Sequence, residues 1–334
     1  MPVLNRQIVQ VRPQWQQELA QAISDPYQLA EILELPKSWA DHHAAARELF
    51  PLRVPRFFVD LMQHKNEQDP LLLQVMPNAN EFLQHPEFIT DPLQEQQSSY
   101  TGILHKYSSR VLVILRGGCA VNCRYCFRRH FPYEQHHFGR EQLTQLVALV
   151  KSDTAVNEVI LSGGDPLMAN DTQLSKIIDA LEAIPHLKRI RIHTRLPVVI
   201  PSRLTKELCQ HLARSRLQAV MVLHINHPNE ISSLLNTHLN DFRRVGITLL
   251  NQSVLLKGVN DSAATLVELS ERLFDAGIIP YYLHLLDKVA GASHFDIDEK
   301  KARNLLIKVR AQVAGFLVPQ LVREIAGEPN KTPI

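Results

Sequence analysis

The sequence predicts an α/β protein: a partial, six-unit (β/α) barrel with a helical region before it and a short strand-and-turn tail behind it. Three observations lead there. From Arg110 onward, short apolar runs rich in β-branched residues alternate six times with segments of helical period. The runs are apolar throughout, as suits strands of a parallel sheet joined by right-handed crossovers. Polar signatures follow the ends of these strands, where barrel folds gather their chemistry. Eight repeats are absent, so the barrel is incomplete.

The elements follow in order. Pro13 sits near a helix start, and W-Q-Q-E-L-A-Q-A-I from Trp15 spaces its apolar residues at helical intervals. Asp25-Pro26 opens a second helix through A-E-I-L-E-L, closed by Pro36. Residues 53–64 (RVPRFFVDLMQH) make a third candidate, with Phe57, Phe58 and Leu61 read as core. From 69 to 99 the chain is rich in proline, asparagine and glutamine and reads as a wrapping arm with little regular structure.

The first barrel strand is R-V-L-V-I-L from Arg110, preceded by a charged entrance, K-Y-S-S-R. Helices are expected at 141–151, 172–184, 204–213, 229–245, 263–276 and 299–314. Strands are expected at 158–165, 189–194, 219–225, 247–255 and 279–286. A final strand lies in L-V-P-Q-L-V-R-E, before a turn that carries Lys331. The division is then 1–100 for the helical region and arm, 101–315 for the barrel, and 316–334 for the tail.

With 334 residues, 45% hydrophobic and 21% charged, the chain reads as globular. A formal net charge of +2 gives no basic excess for nucleic acid. The start has no apolar segment of signal-peptide length, and no run approaches a membrane span. Four cysteines, mostly clustered, argue against a disulfide framework and for a reducing, cytoplasmic setting.

The chemistry centres on R-G-G-C-A-V-N-C-R-Y-C-F-R-R, which holds Cys119, Cys123 and Cys126 in the spacing C-x3-C-x2-C. Gly117 and Gly118 let the backbone wrap closely. Four cysteines would complete an ordinary [4Fe–4S] cluster or a structural zinc. Three leave one iron open to a ligand that is not protein, and an open site implies chemistry. The bland alternative is zinc held by these cysteines and His130. Gly163-Gly164-Asp165, directly after a strand, is by itself an ordinary tight turn. Arg128 could clamp a carboxylate, whereas Arg129 suits a solvated surface role. Asp287 could cap a turn, Glu324 could be an exposed strand residue, and Lys331 a frayed terminal side chain.

The cysteine loop, with its tail C-R-Y-C-F-R-R, resembles that of the radical S-adenosylmethionine (SAM) enzymes, and within them the lysine 2,3-aminomutase branch. The resemblance runs from about Tyr100 to the end and is weaker before that. It implies a radical SAM-type partial TIM-like barrel. It further implies a [4Fe–4S] cluster on Cys119, Cys123 and Cys126, with SAM on the open iron and along Gly163, Gly164 and Asp165, near His224 and Gln252. Pyridoxal 5′-phosphate (PLP) is implied on Lys331 as an internal Schiff base, within a K-T-P that the branch carries. Its phosphate would lie near Lys106, Tyr107 and Arg110. Arg128 would bind the carboxylate of L-lysine, and Asp287 with Glu324 its distal ammonium.

The implied activity is that of an isomerase converting L-lysine to β-lysine, the R product. Other amino acids, or a lysine on a carrier, remain alternatives. A glutamate enzyme would have no use for the two carboxylates. A low-potential electron donor such as flavodoxin is implied, as is a link to the enzyme that transfers lysyl groups to elongation factor P, which the short bacterial form serves. Three departures stand out: Glu324 replaces an aspartate, A-G-E-P-N lacks a glycine run, and the chain stops just after Lys331. The last leaves a homo-oligomer open.

Overall fold

The computed structural model describes residues 12–96, 102–135, 138–328 and 330–334. The chain's start, the end of the arm at 97–101 and position 329 in the tail turn lie outside the described residues.

The centre is a nine-stranded sheet whose strand order follows the sequence, β1 to β9. Seven strands run parallel: β2 (Arg110–Arg116), β3 (Glu158–Gly163), β4 (Arg189–Thr194), β5 (Gln218–Leu223), β6 (Thr248–Val254), β7 (Ile279–His284) and β8 (Gln320–Arg323). β1 (Ile103–Tyr107) flanks β2 antiparallel, and β9 (Thr332–Pro333) flanks β8 antiparallel. The two edges do not pair, so the barrel is open. The six expected strands are all present, and the tail strand joins them as a seventh parallel member. β1 was not anticipated: it runs from Ile103 into the charged entrance, and I-L-H-K-Y has no apolar alternation.

Among the described residues, four short α-helices precede the sheet: α1 (Gln14–Ala20), α2 (Pro26–Ile32), α3 (Lys37–His43) and α4 (Arg56–Val59). The crossovers carry α5 (Arg140–Ser152), α6 (Asp171–Glu182), α7 (Leu196–Val199), α8 (Lys206–Arg214), α9 (Ser233–Arg244), α10 (Ala263–Asp275) and α11 (Glu299–Arg310). Side-chain caps set several starts: Asn170, Thr205, Ser232 and Ser262 each accept from a backbone N–H in the first turn. The helix expected over 53–64 shrinks to α4, since Pro55 is its N-cap and the chain leaves helical geometry after Val59. No helix among the described residues is long and apolar enough to cross a membrane.

Burial is continuous from the N-terminal region into the barrel. Trp15, Leu29, Val54, Phe58 and Leu71 belong to the same buried cluster as Val113, Leu161, Ile192 and Met221. The strands are not all apolar on both faces. β3 is buried at every position, but β4 alternates, with Ile190, Ile192 and Thr194 inward and Arg191 and His193 on the other face. That second face looks into the barrel.

A buried ionic triad fastens the arm to the cysteine loop. Glu81 Oε1 and Oε2 accept from Arg124 Nε at 2.8 Å and Nη2 at 2.5 Å, and Oε2 also accepts from Arg129 Nη2 at 2.6 Å. All three side chains are fully buried. Arg129 is therefore not the solvated residue the sequence suggested; its partner lies 48 residues away. Because Glu81→Ala would strand two buried guanidinium groups, it should cost about 3–5 kcal/mol of stability in denaturant unfolding.

Candidate functional site: a cysteine-lined cavity at the strand ends

The cysteine loop leaves β2 and folds onto the turn after β3, backbone against backbone. Gly164 N donates to Arg116 O at 2.6 Å, and Asp165 N to Gly118 O at 3.1 Å. A Cβ on Gly164 would lie 2.6 Å from Gly118 O. One on Gly163, at φ +114°, would lie 2.7 Å from Arg116 O. Glycine is required at both positions by this close approach.

Cys119, Cys123 and Cys126 line one cavity of about 300 Å³. Burial, with the neighbouring Cys126 and Cys123 sulfurs, pushes the Cys119 thiol well above its ordinary range. Burial and Cys123 push Cys126 up to about 11. Cys119 and Cys126, raised in this way, ionise only beside compensating positive charge, and the irons of an iron–sulfur cluster provide it. His130 does not suit the zinc alternative: its Nε2 lies 3.1 Å from Ala290 O, and it does not line the cavity. The donor set fits a three-thiolate cluster.

The cavity floor follows from the two-residue period of strands. Ile160 and Ser162 of β3, Arg191 and His193 of β4, Gln252 and Val254 of β6, and Tyr282 and His284 of β7 all face it. So does His224, just beyond β5. His193, His224 and His284 each have a buried Nε2 without a partner, and Gln252 a buried Oε1 without one, among the described residues. Burial keeps all three imidazoles neutral, with His224 lowered to about 3. Orphaned polar atoms facing a cavity mark a surface made for a polar occupant.

Asp165 works differently. Its carboxylate accepts from Thr194 Oγ1 at 2.8 and 2.9 Å, Arg195 N and Leu196 N at 2.8 Å each, and Leu167 N at 3.0 Å. It anchors the loop after β4, so what the turn offers an occupant is its backbone edge.

One end of the cavity is built around Arg128. Its Nε and Nη2 donate side-on to Glu95 at 2.6 and 3.2 Å, and Nη1 donates to Gly163 O at 3.1 Å and Ser162 Oγ at 3.3 Å. Glu95 also accepts from Lys106 Nζ at 3.1 Å. The arm thus already supplies a carboxylate to Arg128, which shows that the guanidinium is set for carboxylate geometry.

The other end gathers Lys331, Glu324, Tyr107 and Asp287. Lys331 Nζ donates to Glu324 Oε2 at 2.5 Å, and Tyr107 OH to Oε1 at 2.7 Å. These donors, Lys331 foremost, hold the Glu324 carboxyl below its usual range against the opposing effect of burial. Arg110 stacks over the Tyr107 ring at 4.0 Å. Asp287 Oδ1 is buried and without a partner among the described residues. Burial raises its carboxyl to about 7, with Lys331 and Arg128 opposing and Glu324 and Glu95 adding to the rise.

The residues to which the resemblance gave a role in the site therefore line a single cavity. A model of the radical SAM superfamily matches residues 113–278, the cysteine loop and most of the barrel. Over 326 residues the chain is 50% identical to the L-lysine 2,3-aminomutase of Escherichia coli strain K12, covering 97% of this chain and 95% of that protein. The Haemophilus influenzae protein of the same name is 52% identical, with 97% and 96% covered. The chain belongs to the lysine 2,3-aminomutase family. The Clostridium subterminale L-lysine 2,3-aminomutase is 31% identical over 96% of this chain but only 77% of its own length. The family membership carries the radical SAM domain, and with it SAM and the [4Fe–4S] cluster that the three thiols fit.

Several cavity residues escaped the sequence reading. Glu95 sits in an arm with no pattern, and its partner Arg128 is 33 residues away. Arg195, His193 and His284 ended strands in H-T-R and Y-Y-L-H without being assigned a role. The strand-end position was the available signal.

Asp287 gives a test of sign. Its carboxyl titrates near 7 in the folded chain against 3.8 ordinarily, so between those values the folded state holds a proton that the unfolded chain releases. Stability therefore falls as pH rises through that window. Asp287→Asn should melt at a higher temperature than the wild type at about pH 8 and show little difference at about pH 4, as read by calorimetry of the cofactor-free protein.

Proposed function

We propose that the chain is itself a lysine 2,3-aminomutase, using PLP beside SAM and the cluster to convert free L-lysine to (R)-β-lysine. The observation that carries this reading is the grip on an alkylammonium. Glu324 holds the ammonium of Lys331 at 2.5 Å, and Asp287 waits unpartnered at the same end of the cavity. A substrate with a cationic side chain satisfies both carboxylates; an acidic or neutral one leaves them stranded. Arg128 lines the same cavity and suits the α-carboxylate.

When bound, SAM on the cluster supplies a hydrogen-abstracting radical, and PLP supplies the π-system over which the nitrogen moves. The chain's own residues hold and orient. Cys119, Cys123 and Cys126 would ligate the cluster. The backbone edge at Gly163, Gly164 and Asp165, with His224 and Gln252, would receive SAM. Lys331 would tether PLP through its amine, with Lys106, Tyr107 and Arg110 near the phosphate. Neutral imidazoles and apolar walls exclude water from the reacting carbons.

Reduction of the cluster requires a low-potential one-electron donor, a flavodoxin being the expected kind, in a cytoplasmic setting. The resemblance of the sequence to the short bacterial form is what points to supply of β-lysine for elongation factor P modification.

The protein reconstituted anaerobically with iron, sulfide and PLP, then given SAM, dithionite and L-lysine, should form (R)-β-lysine by mass spectrometry and chiral chromatography. Lys331→Ala should lose β-lysine while keeping its iron and sulfide. Deoxyadenosine without β-lysine from the wild type would remove free lysine as the substrate. The KM for lysine should rise as pH drops below about 7, where Asp287 takes up its proton, and Asp287→Asn should raise KM and flatten that dependence.

A further inference from the structure

Arg195 follows β4 and reaches beneath the cysteine loop. Its Nη1 donates to Cys123 Sγ at 2.8 Å and also to the Tyr125 hydroxyl. Its Nη2 donates to Gln74 Oε1 at 2.8 Å and Glu230 Oε2 at 3.0 Å. Its backbone N–H is fixed by Asp165 at 2.8 Å. Held at both ends and only 6% exposed, the guanidinium cannot turn away from the sulfur.

A thiolate bound to iron keeps much of its negative charge, and one electron added to a [4Fe–4S]2+ cluster increases the charge on its sulfurs. A donor carrying a full positive charge, fixed against one sulfur in a water-poor pocket, stabilises the reduced state more than the oxidised one. Glu230 offsets part of that charge, but from the far side of the guanidinium. We propose that Arg195 is a positioning residue that raises the reduction potential of the cluster through its hydrogen bond to Cys123. The electron comes from the external one-electron donor, the cluster goes from 2+ to 1+, and Arg195 exchanges no proton. The inference rests on the assignment of a [4Fe–4S] cluster to Cys119, Cys123 and Cys126.

The test is an anaerobic redox titration of the reconstituted protein, followed by electron paramagnetic resonance, with iron and sulfide content measured beside it. Arg195→Gln should make the reduction equilibrium about tenfold less favourable, about 59 mV for a one-electron couple. Because that variant strands Glu230, the double variant Arg195→Gln/Glu230→Gln removes both charges and should show a shift of the same sign. Arg195→Lys, which keeps the charge and loses the fork, should fall between. Full clusters with wild-type potentials in all three variants would overturn the proposal. So would loss of the cluster from both glutamine-bearing variants with a wild-type potential in Arg195→Lys, since Arg195 would then only brace the loop. Absence of iron and sulfide from the wild type would instead overturn the cluster assignment beneath it.

Discussion

The buried carboxylate of Asp165 is the constraint on which the site depends. It ties the turn after β3 to the end of β4 and its loop by three donors, with Leu167 N a fourth from its own turn, while its own N–H reaches Gly118 O in the cysteine loop. Burial pushes this carboxyl up, and the surrounding donors oppose that rise. A carboxylate so placed serves as a staple joining three strand ends. The two glycines just before the staple follow from it: the two backbones approach too closely for a Cβ at Gly163 or Gly164. Arg195 is oriented by the same staple, so the position of the cysteines and the charge beneath Cys123 share one origin.

Around that frame the cavity is sorted by charge. Arg128 and Lys106 face Glu95 at one end, and Lys331 faces Glu324 at the other. On the proposed function, each internal partner is a stand-in for the group that the amino acid would bring: a carboxylate for Arg128, an ammonium for Glu324. Buried charges without partners are costly, so a site that binds a zwitterionic, doubly charged molecule needs such internal partners when nothing is bound. Asp287 is the exception, and it avoids the cost by holding its proton up to about pH 7.

Much of this was legible in the sequence, for reasons that differ by element. The parallel strands carry dense β-branched runs that no helix period explains, so all six were visible, and the C-x3-C-x2-C spacing is local by nature. What escaped depends on distant partners. Arg129 looks solvent-exposed beside Arg128, yet it pairs with Glu81. Residues 53–64 have a helical pattern, but only α4 is helical: Pro55 sets its start, and Arg53 ahead of it meets the cysteine loop instead, its O accepting from Asn122 N at 2.9 Å. Glu95 carries no periodicity at all. β1 owes its existence to pairing with β2 and not to its own composition.

The tail shows how little secondary structure is needed to place one side chain. β9 is two residues long and pairs Thr332 with Arg323 and Pro333 with Val322. Ile334 N adds one further bond, to Leu321 O at 2.9 Å. Extending that antiparallel register by one residue sets Lys331 opposite Glu324, where the ion pair is found. The hairpin register and the ion pair therefore specify the same position twice. A backbone ladder this short is weak by itself, and the Glu324 carboxylate, itself held by Tyr107 from β1, closes it. The first and eighth strands of the sheet are joined through that tyrosine, so the open barrel is bridged at its mouth by side chains, at the point where Lys331 enters the cavity.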